Sequence, residues 1–323
     1  KGATTITFPS APSGVAAGTP LLIYDSDDGG FNAARDEYRA GEWCKVKSVS
    51  GGTVTLDGPV FSTYSTGGTR TIYVVTPVTA QVRNLRATFK AGLTGIEFEL
   101  GHKCLAVDLD LSGSDTSCLT FDRCFEVSAE RVKAFDVSAS IGLNYGVIIS
   151  NSQRVIVDGC HLDTTRHGLA VGGSDVAGCV PNRDVLVSGN LINGHLDSLP
   201  GADIHGNCEF VTYRDNRLLA GISFGGDYIT IAGNDIRTNA GTEKNGISAS
   251  ELLGPNIVIR DNTITATGAL TSGNSAAINF SKNSSSWRYA ARSGTLAIRG
   301  NTINMASYDG AAVYVRNGQA NDM

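Results

Sequence analysis

Charged and aromatic side chains are scarce in this chain. Of its 323 residues, 18% are charged and 7% are aromatic, and the formal net charge is -5. A charge of this sign and size provides no electrostatic footprint for DNA or RNA, so no nucleic-acid partner is expected. No apolar run reaches the ~18 residues of a membrane-spanning helix, so no membrane span is expected either. Because the chain begins at Lys1 without the apolar stretch of a signal peptide, we expect it to be a piece of a longer protein.

Cysteine is present in an odd number and without metal-ligand spacing. Of the seven cysteines, Cys118 and Cys124 are six residues apart, and Cys208 directly precedes a predicted strand. We interpret all seven as buried thiols that fill small interior spaces, and not as a disulfide framework. Free thiols in turn indicate folding in a reducing cytoplasm. The sequence predicts no metal ion and no other cofactor.

A short phrase is repeated through the second half of the chain. It reads apolar–x–apolar–x–x–Asn–x–apolar, and successive copies start 18 to 39 residues apart. Five copies carry the asparagine, at residues 185–192, 211–218, 229–236, 257–264 and 296–303. A sixth copy, at 155–162, has Cys160 at the asparagine position. A repeat of this period is typical of a solenoid.

Each repeat is predicted to contain three short strands. Apolar residues alternate with period two on both sides of the asparagine, which indicates two strands with one face inward. We place the asparagine at the corner between them, because Asn tolerates a left-handed backbone and stacked Asn side chains can bond along the stack. A third strand follows at residues 168–171, 221–224, 246–249, 277–280 and 312–315. Together with weaker repeats from residue 82 onward, this predicts an all-β fold, a right-handed parallel β-helix of about nine coils.

The first 80 residues lack the phrase but are rich in strand signals. Strand-like segments at 4–8, 20–24, 42–46, 53–56 and 70–75 are separated by glycine- and aspartate-rich turns. We expect residues 1–80 to form a β-rich N-terminal cap with a few early rungs, which covers the open end of the solenoid and has no catalytic role. Residues 81–323 are expected to form the β-helix, truncated at its C-terminal end because the sequence stops inside a rung near Tyr314.

Reactive side chains gather in and just before the third strand of neighbouring repeats. Equivalent positions of stacked coils lie ~5 Å apart, so these side chains are predicted to form a ladder on one face. The ladder consists of Tyr145, Arg166, His167, Asp203, His205 and Lys244, with Ser223 on an intervening coil. Asp203 and His205 share one side of their strand, since Ile204 between them points inward. The loop that carries Asp197 is expected to form a wall beside the ladder.

Two reactions on a polysaccharide fit these side chains. In a uronate lyase, a cation neutralises the sugar carboxylate and acidifies the C5 proton, which a histidine or tyrosine removes. In a glycoside hydrolase, two carboxylates stand ~5 to 9 Å apart across the glycosidic bond. Asp203 could form such a pair with Glu209, Asp227, Asp197 or Asp163. The alternative is that each residue is only a solvated or turn residue, but Arg-His and Asp-x-His occur in register in adjacent repeats, which favours function.

The asparagine-cornered coils and two short segments resemble the pectate-lyase-like right-handed β-helix superfamily. The segments are Arg166-His167-Gly168 and Asp203-Ile204-His205-Gly206-Asn207. Within that superfamily, the chain resembles bacteriophage tailspikes, the depolymerases that degrade bacterial surface polysaccharide. The resemblance implies a homotrimer in the phage virion, synthesised in the host cytoplasm and acting outside the cell. It also implies further domains on either side of the β-helix.

The arginine segment is similar to alginate lyases and chondroitinase B-like enzymes as well, in which Arg and Lys act on a uronate. Those enzymes carry an Asn-Lys-Ser motif in the coils before the arginine, where this chain has Asn144-Tyr145. This difference leaves Tyr145, His167 or His205 as the possible base.

These observations together predict a domain that binds and cleaves O-antigen or capsular polysaccharide, with a lyase favoured over a hydrolase. The predicted catalytic residues are Asp203, His205, His167 and Arg166, and the predicted substrate-binding residues are Tyr145, Asp197, Glu209, Ser223, Asp227 and Lys244. Asp203 would hold a proton or orient His205, and Arg166 would pair with a substrate carboxylate. Two alternatives stay open: a secreted bacterial uronan lyase or epimerase, and a non-catalytic adhesion or structural β-helix.

Overall fold

The structure is a computed structural model, and it consists of strands, turns and loops. It describes residues 1–28, 38–64, 69–76, 78–90, 92–135, 144–173, 178–194, 199–238, 245–252, 254, 256–266, 276–281, 294–305 and 310–316. These ranges contain 31 strands and no helix. Accordingly, no described segment is a helix with the length and apolar character of a membrane span.

The first five strands form an antiparallel sheet in the order β1-β4-β3-β2-β5. They are β1 (Thr5–Thr7), β2 (Pro20–Asp28), β3 (Arg39–Ser50), β4 (Thr53–Leu56) and β5 (Arg70–Val74). A hairpin joins β3 to β4 at Gly51, whose φ of 55° lies in the left-handed region that tight turns use. One face of this N-terminal sheet buries Leu21, Ile23, Val46 and Val54 in a core of its own.

Within the described ranges, all later strands pair in parallel and form three sheets of nine strands each. Sheet 1 contains β6 (Gln81–Arg83), β9 (Leu105–Val107), β12 (Phe125–Glu130), β15 (Gln153–Asp158), β18 (Asn182–Ser188), β21 (Cys208–Arg214), the second part of β23 (Ile222–Ala232), β26 (Ile257–Arg260) and β29 (Leu296–Arg299). Sheet 2 contains β7 (Arg86–Thr88), β10 (Asp110–Ser112), β13 (Lys133–Phe135), β16 (His161–Thr164), β19 (Leu191–Gly194), β22 (Arg217–Leu218), β24 (Asp235–Arg237), β27 (Thr263–Thr265) and β30 (Thr302–Asn304). Sheet 3 contains β8 (Ile96–Glu99), β11 (Ser117–Asp122), β14 (Tyr145–Ser150), β17 (His167–Gly172), β20 (Ala202–Ile204), the first part of β23, β25 (Ile247–Leu252), β28 (Ala276–Ser281) and β31 (Ala311–Arg316).

The chain passes through sheets 1, 2 and 3 in turn, and each pass is one coil. The described residues form nine such coils, which confirms the predicted parallel β-helix. Inward residues of sheet 1 stack in register from coil to coil, as in the series Val155, Val185, Val211, Ile229 and Ile257, all of them buried. The period-two alternation in the sequence therefore builds one continuous apolar core.

The five asparagines of the repeated phrase stack at one corner, between sheets 1 and 2. The Nδ2 group of each donates to Oδ1 of the next, from Asn190 through Asn216, Asn234 and Asn262 to Asn301, at 2.9 to 3.0 Å. Each Oδ1 from Asn216 onward also accepts the backbone N–H of the preceding asparagine. The ladder thus pairs buried polar groups that the corner would otherwise leave without partners. The predicted shared corner is confirmed.

The bend itself is made by the residue before each asparagine, and the prediction that the asparagine is left-handed is wrong. Gly189, Asp215, Gly233, Asp261 and Gly300 have φ values of 56° to 67°. Glycine and aspartate are among the residues that reach this region most readily. The asparagine is needed for its side-chain amide, and the residue before it supplies the turn.

All seven cysteines are buried and free of disulfide bonds, as predicted. Burial raises the pKa of Cys44, Cys118 and Cys124 to about 12. The thiols therefore stay protonated at neutral pH and act as small apolar side chains.

The N-terminal sheet packs against the side of the coils, where sheet 3 turns into sheet 1. The Trp43 ring stacks on Phe125 at 5.6 Å, and the Trp43 backbone N–H donates to Gln153 at 2.9 Å. Arg183 donates to the carbonyl of Gly41 at 3.1 Å. These partners are the first or second residues of three successive strands of sheet 1, so the described contacts place the sheet beside the coils and not over their open end. The reason is the second face of the sheet, where Leu22, Tyr24 and Trp43 are buried against Phe125 and Val180 of the coils.

The early rungs expected within residues 1–80 are also nearly absent from the described part of that segment. Parallel pairing begins there with a single bridge between Val78 and Gly101, and the first parallel strand is β6.

Candidate active site

Six of the ten predicted site residues come together along sheet 3. They are Tyr145, Arg166, His167, Asp203, His205 and Ser223. Two others, Asp197 and Lys244, lie outside the described residues. The remaining two lie away from sheet 3. Glu209 is on β21 of sheet 1, and Asp227 pairs with it from β23.

Tyr145, Arg166 and His167 form one half of this cluster. Tyr145 on β14 pairs in register with His167 on β17, and their rings stack at 5.7 Å with 25° between the planes. Arg166 Nη1 donates to the Tyr145 hydroxyl oxygen at 2.6 Å, and its guanidinium lies 5.1 Å from the Tyr145 ring centre. The start of β17 packs closely against its neighbours, and this requires glycine at position 168. A Cβ there would lie 2.8 Å from the Ile192 side chain. A cation is therefore fixed beside a phenol oxygen.

Asp203 and His205 form the other half, and they share one side of the strand as predicted. His205 Nε2 is 3.0 Å from Asp203 Oδ2, and His167 Nε2 is 4.0 Å from the same oxygen. The register of β17 and β20 places Asp203 opposite Ala170, three positions beyond His167. The His167 side chain therefore links the two halves, because it is long enough to reach Asp203. The two residues are not at equivalent positions of their strands.

The Asp203 carboxyl is ionised at neutral pH. Burial raises its pKa, but the hydrogen bond and charge of His205, the nearby His167 and a hydrogen bond from Ser223 outweigh burial and hold the pKa at about 2. A carboxyl with this pKa does not carry a proton under physiological conditions. Of the two roles predicted for Asp203, holding a proton is therefore wrong, because its surroundings stabilise the anion.

His167 is neutral and nearly inaccessible. Burial lowers the pKa of its imidazole, an effect that the nearby Asp203 carboxylate only partly offsets. Nδ1 lies 2.6 Å from the carbonyl oxygen of Pro200, and since a carbonyl can only accept, Nδ1 carries the proton. The His167 side chain is 3% exposed. It packs against the Tyr145 ring and lies near the Asp203 carboxylate.

Glu209 and Asp227 have structural partners away from this cluster. Arg183 Nε donates to Glu209 at 2.7 Å, and both side chains are buried. Asp227 accepts hydrogen bonds from the backbone of Tyr228 and from the backbone and side chain of Asn256. The predicted substrate-binding role of both residues finds no support in their positions, because their carboxylates hold the corner between sheets 3 and 1 together.

Tyr38 is a site residue that the sequence did not reveal. It directly precedes β3 of the N-terminal sheet, is 1% exposed, and places its hydroxyl 3.0 Å from Nδ1 of His205. No local pattern marks this contact, since the two residues are 167 positions apart.

The assembled groups suit acid–base chemistry on a polar substrate. They combine a cation beside a phenol oxygen with an ionised carboxylate that accepts hydrogen bonds from His205 and Ser223. Among the described residues, no group of three or more His, Cys, Asp or Glu side chains is placed to hold a metal ion.

Comparison with known protein families identifies the fold and its relatives. The model of the family described as Gp49, pectin lyase-like, matches residues 112–322. The chain belongs to this family. A second model, the tailspike protein-like Ig-like domain, matches residues 1–75 and so covers the N-terminal sheet. No curated protein sequence matches the chain.

Solved structures of phage tailspikes share the fold. The tailspike protein gp49 of Pseudomonas phage LKA1 is similar at 23% identity and a TM-score of 0.81, covering 96% of this chain and 59% of that one. The tailspike gp61 of Pseudomonas phage phi297 is similar at 26% identity and a TM-score of 0.78, covering 96% and 56%. The predicted superfamily and its tailspike type are confirmed. The Gp49-family chain spans less than two thirds of the length of either tailspike.

A third tailspike structure contains a saccharide. Gp54 of Acinetobacter baumannii bacteriophage AP22, solved in complex with A. baumannii capsular saccharide, is similar at 25% identity and a TM-score of 0.68. The match covers 87% of this chain and 46% of that one.

Proposed function

We propose that this chain is the polysaccharide-cleaving part of a phage tailspike, and that it degrades bacterial O-antigen or capsule as a lyase. The family supports a tailspike depolymerase, and the AP22 complex supports a capsular saccharide as the ligand class. The observation that carries the proposal is the contact of Arg166 with Tyr145, beside the anionic Asp203. In a tailspike the chain would act outside the cell, as part of the virion.

Tyr145 is the proposed base. His167 is too buried to reach a sugar, and both ring nitrogens of His205 already have hydrogen-bond partners. The Tyr145 hydroxyl is next to a permanent cation, which stabilises negative charge that develops on its oxygen. Of the three bases left open by the sequence, Tyr145 is therefore the best placed.

Arg166 serves the substrate as well as the base. Its guanidinium presents five N–H donors in a planar fork, so it can hold the Tyr145 oxygen and a uronate carboxylate together. Neutralising the carboxylate acidifies the C5 proton, which Tyr145 removes as the phenolate that Arg166 stabilises. The C4–O bond then breaks, a C4=C5 double bond forms, and the Tyr145 hydroxyl gives this proton to the leaving oxygen, which regenerates the phenolate.

A hydrolase is the second candidate, and the ionised state of Asp203 favours it. A carboxylate with a pKa of about 2 suits a nucleophile or a base for water. A hydrolase also needs a second carboxyl as the acid, and Asp203 is the one carboxylate in the cluster of described residues. The lyase therefore explains more of the described site.

The products distinguish the two reactions. The protein is incubated with purified surface polysaccharides, and the absorbance of unsaturated uronates is followed alongside the release of reducing ends. New absorbance is expected; reducing ends without absorbance identify a hydrolase, and neither signal with any polysaccharide contradicts the proposal.

Two variants test the assigned roles. Tyr145→Phe should lower the cleavage rate by ~100- to 10,000-fold, the usual effect of losing a general base, and should still bind polysaccharide. Its matched control is Tyr228→Phe, a 40% exposed tyrosine outside the cluster, which should cleave normally. Arg166→Lys keeps the charge but loses the planar fork, so it should weaken substrate binding and cleavage together. A Tyr145→Phe variant that cleaves at the wild-type rate removes Tyr145 from the role of base.

A further inference from the structure

Three groups from two distant parts of the chain form a line of hydrogen bonds. The Tyr38 hydroxyl is 3.0 Å from His205 Nδ1, and His205 Nε2 is 3.0 Å from Asp203 Oδ2. Tyr38 directly precedes β3 of the N-terminal sheet, whereas His205 directly follows β20 of the β-helix. The line therefore connects the N-terminal domain to the candidate active site.

The proton positions along this line follow from the charge of Asp203. Because the carboxyl is ionised, with a pKa of about 2, its oxygen can only accept, and His205 Nε2 must carry a proton. In the neutral imidazole, Nδ1 then has the lone pair. The Tyr38 hydroxyl therefore donates to Nδ1 and favours one tautomer of the ring.

From this geometry we propose that Tyr38 is a positioning residue of the active site, which fixes the tautomer and orientation of His205 and thereby the carboxylate of Asp203. The catalytic role of Tyr38 rests on the proposed function, whereas its effect on the tautomer of His205 does not. A carboxylate that orients a catalytic histidine plays a similar role in other enzymes. Here the ring of His205 has the phenol of Tyr38 on one side and the anion of Asp203 on the other.

The ring of His205 is held by packing as well as by its two hydrogen bonds. It lies directly against the backbone of Gly172, where a Cβ would be 3.2 Å from Nδ1. A Cβ at this position would require the ring to shift by a few tenths of an ångström relative to Tyr38 and Asp203. Glycine at position 172 thus leaves the ring room to make both hydrogen bonds.

Tyr38 is itself held in place by the strand that follows it. Three and five residues later, Gly41 accepts a hydrogen bond from Arg183 at 3.1 Å and Trp43 donates one to Gln153 at 2.9 Å. Both partners belong to the β-helix, so the start of β3 is clamped to the coils. The N-terminal sheet therefore contributes a buried side chain to the site, in contrast to the purely protective role expected from the sequence.

Nitrogen NMR of histidine-labelled protein tests the proposal without any substrate. At about pH 8, where imidazoles are mostly neutral, His205 in the wild type should show the shifts of an Nε2–H tautomer. In Tyr38→Phe, Nδ1 loses its donor and its shift should move towards that of a nitrogen without a hydrogen bond. A wild-type Nδ1–H tautomer, or shifts that are identical in the variant, overturns the proposal.

The matched control is Tyr64→Phe. Tyr64 lies in the same N-terminal segment and donates its hydroxyl to the buried Glu42 at 2.8 Å, so the variant also loses a partly buried phenol hydrogen bond. It should lower the stability of the domain but leave the His205 shifts and the cleavage rate unchanged. Equal shift changes in the two variants would mean that a general loosening of the domain, and not Tyr38, controls His205.

Kinetics then connect the tautomer to catalysis. Tyr38→Phe should lower kcat roughly 10- to 100-fold, the scale expected when reacting groups are misplaced, with a smaller change in KM. A wild-type kcat together with altered His205 shifts would limit Tyr38 to a structural role and overturn its part in catalysis. If the wild type cleaves no polysaccharide, the proposed function fails, but the NMR result still decides the assignment of Tyr38.

Discussion

Asp203→Asn is expected to destabilise the protein as well as to impair cleavage. The pKa of this carboxyl is about 2 in the folded protein and 3.8 in the unfolded chain. Since a tenfold change in an ionisation constant corresponds to ~1.4 kcal/mol, the anion contributes ~2 kcal/mol to the free energy of unfolding at neutral pH. The side chain is 19% exposed, so solvent screens only part of this contribution.

The pH dependence follows from the direction of the shift. A depressed folded pKa means that the contribution is complete above ~pH 4 and is lost as the pH falls towards ~2. The difference between wild type and Asp203→Asn should therefore be ~2 kcal/mol at pH 7 and should shrink towards zero below ~pH 3.

Reversible urea unfolding, followed by circular dichroism at several pH values, measures this difference. The matched control is Asp235→Asn, which also removes one negative charge but affects only an exposed pair with Arg217 at 3.5 Å. It should change the free energy of unfolding by less than ~1 kcal/mol at every pH. Equal stability of wild type and Asp203→Asn at pH 7 would refute the reasoning, and so would a deficit that stays constant down to ~pH 2.

Three further predictions concern the scaffold. Asn234→Ala removes four hydrogen bonds of the buried corner ladder and should cost ~3 to 5 kcal/mol in the free energy of unfolding, measured with urea. A thiol reagent should leave the seven buried cysteines untouched in the native protein and modify all seven after denaturation without reductant; recovery of five or fewer would indicate a disulfide. The full-length protein should be a homotrimer by light scattering, as its tailspike type implies, and a monomer would contradict that expectation.

The fold could be predicted because its signal is local and repeated. Each coil repeats the same alternation and the same asparagine corner, so an error in one copy does not alter the period. Cys160 shows this tolerance: it occupies the asparagine slot, and its backbone N–H still donates to Asn190 at 2.7 Å. The backbone conformation of the corner was assigned to the wrong residue, although a Gly or Asp before each asparagine, as at Gly189 and Asp215, was visible in the sequence.

The candidate site could be predicted only in part, because it combines local and distant contacts. Parallel stacking of sheet 3 was enough to bring Tyr145, Arg166 and His167 together, whereas Asp203 is reached only through the length of the His167 side chain. The sequence could not separate structural from functional acidic residues on the next strands, since a carboxylate that holds a corner and one that lies in a site have the same sequence pattern. The Tyr38 contact depends on how the N-terminal sheet packs on the coils, and packing of this kind leaves no periodic signal.

The charges of the cluster also determine how a uronate can lie in it. Arg166 contacts the Tyr145 hydroxyl, whereas the anionic Asp203 lies 4.0 Å from His167 Nε2, and the His167 ring stacks on Tyr145 at 5.7 Å. A sugar carboxylate is attracted to Arg166 and repelled by Asp203, and a like-charge contact of this kind costs several kcal/mol. In the proposed lyase, the carboxylate would therefore face Arg166, and the hydroxyl groups of the same or the next sugar would face Asp203. Since C5 carries the carboxylate, its proton would then lie on the side of Arg166 and of Tyr145, the proposed base.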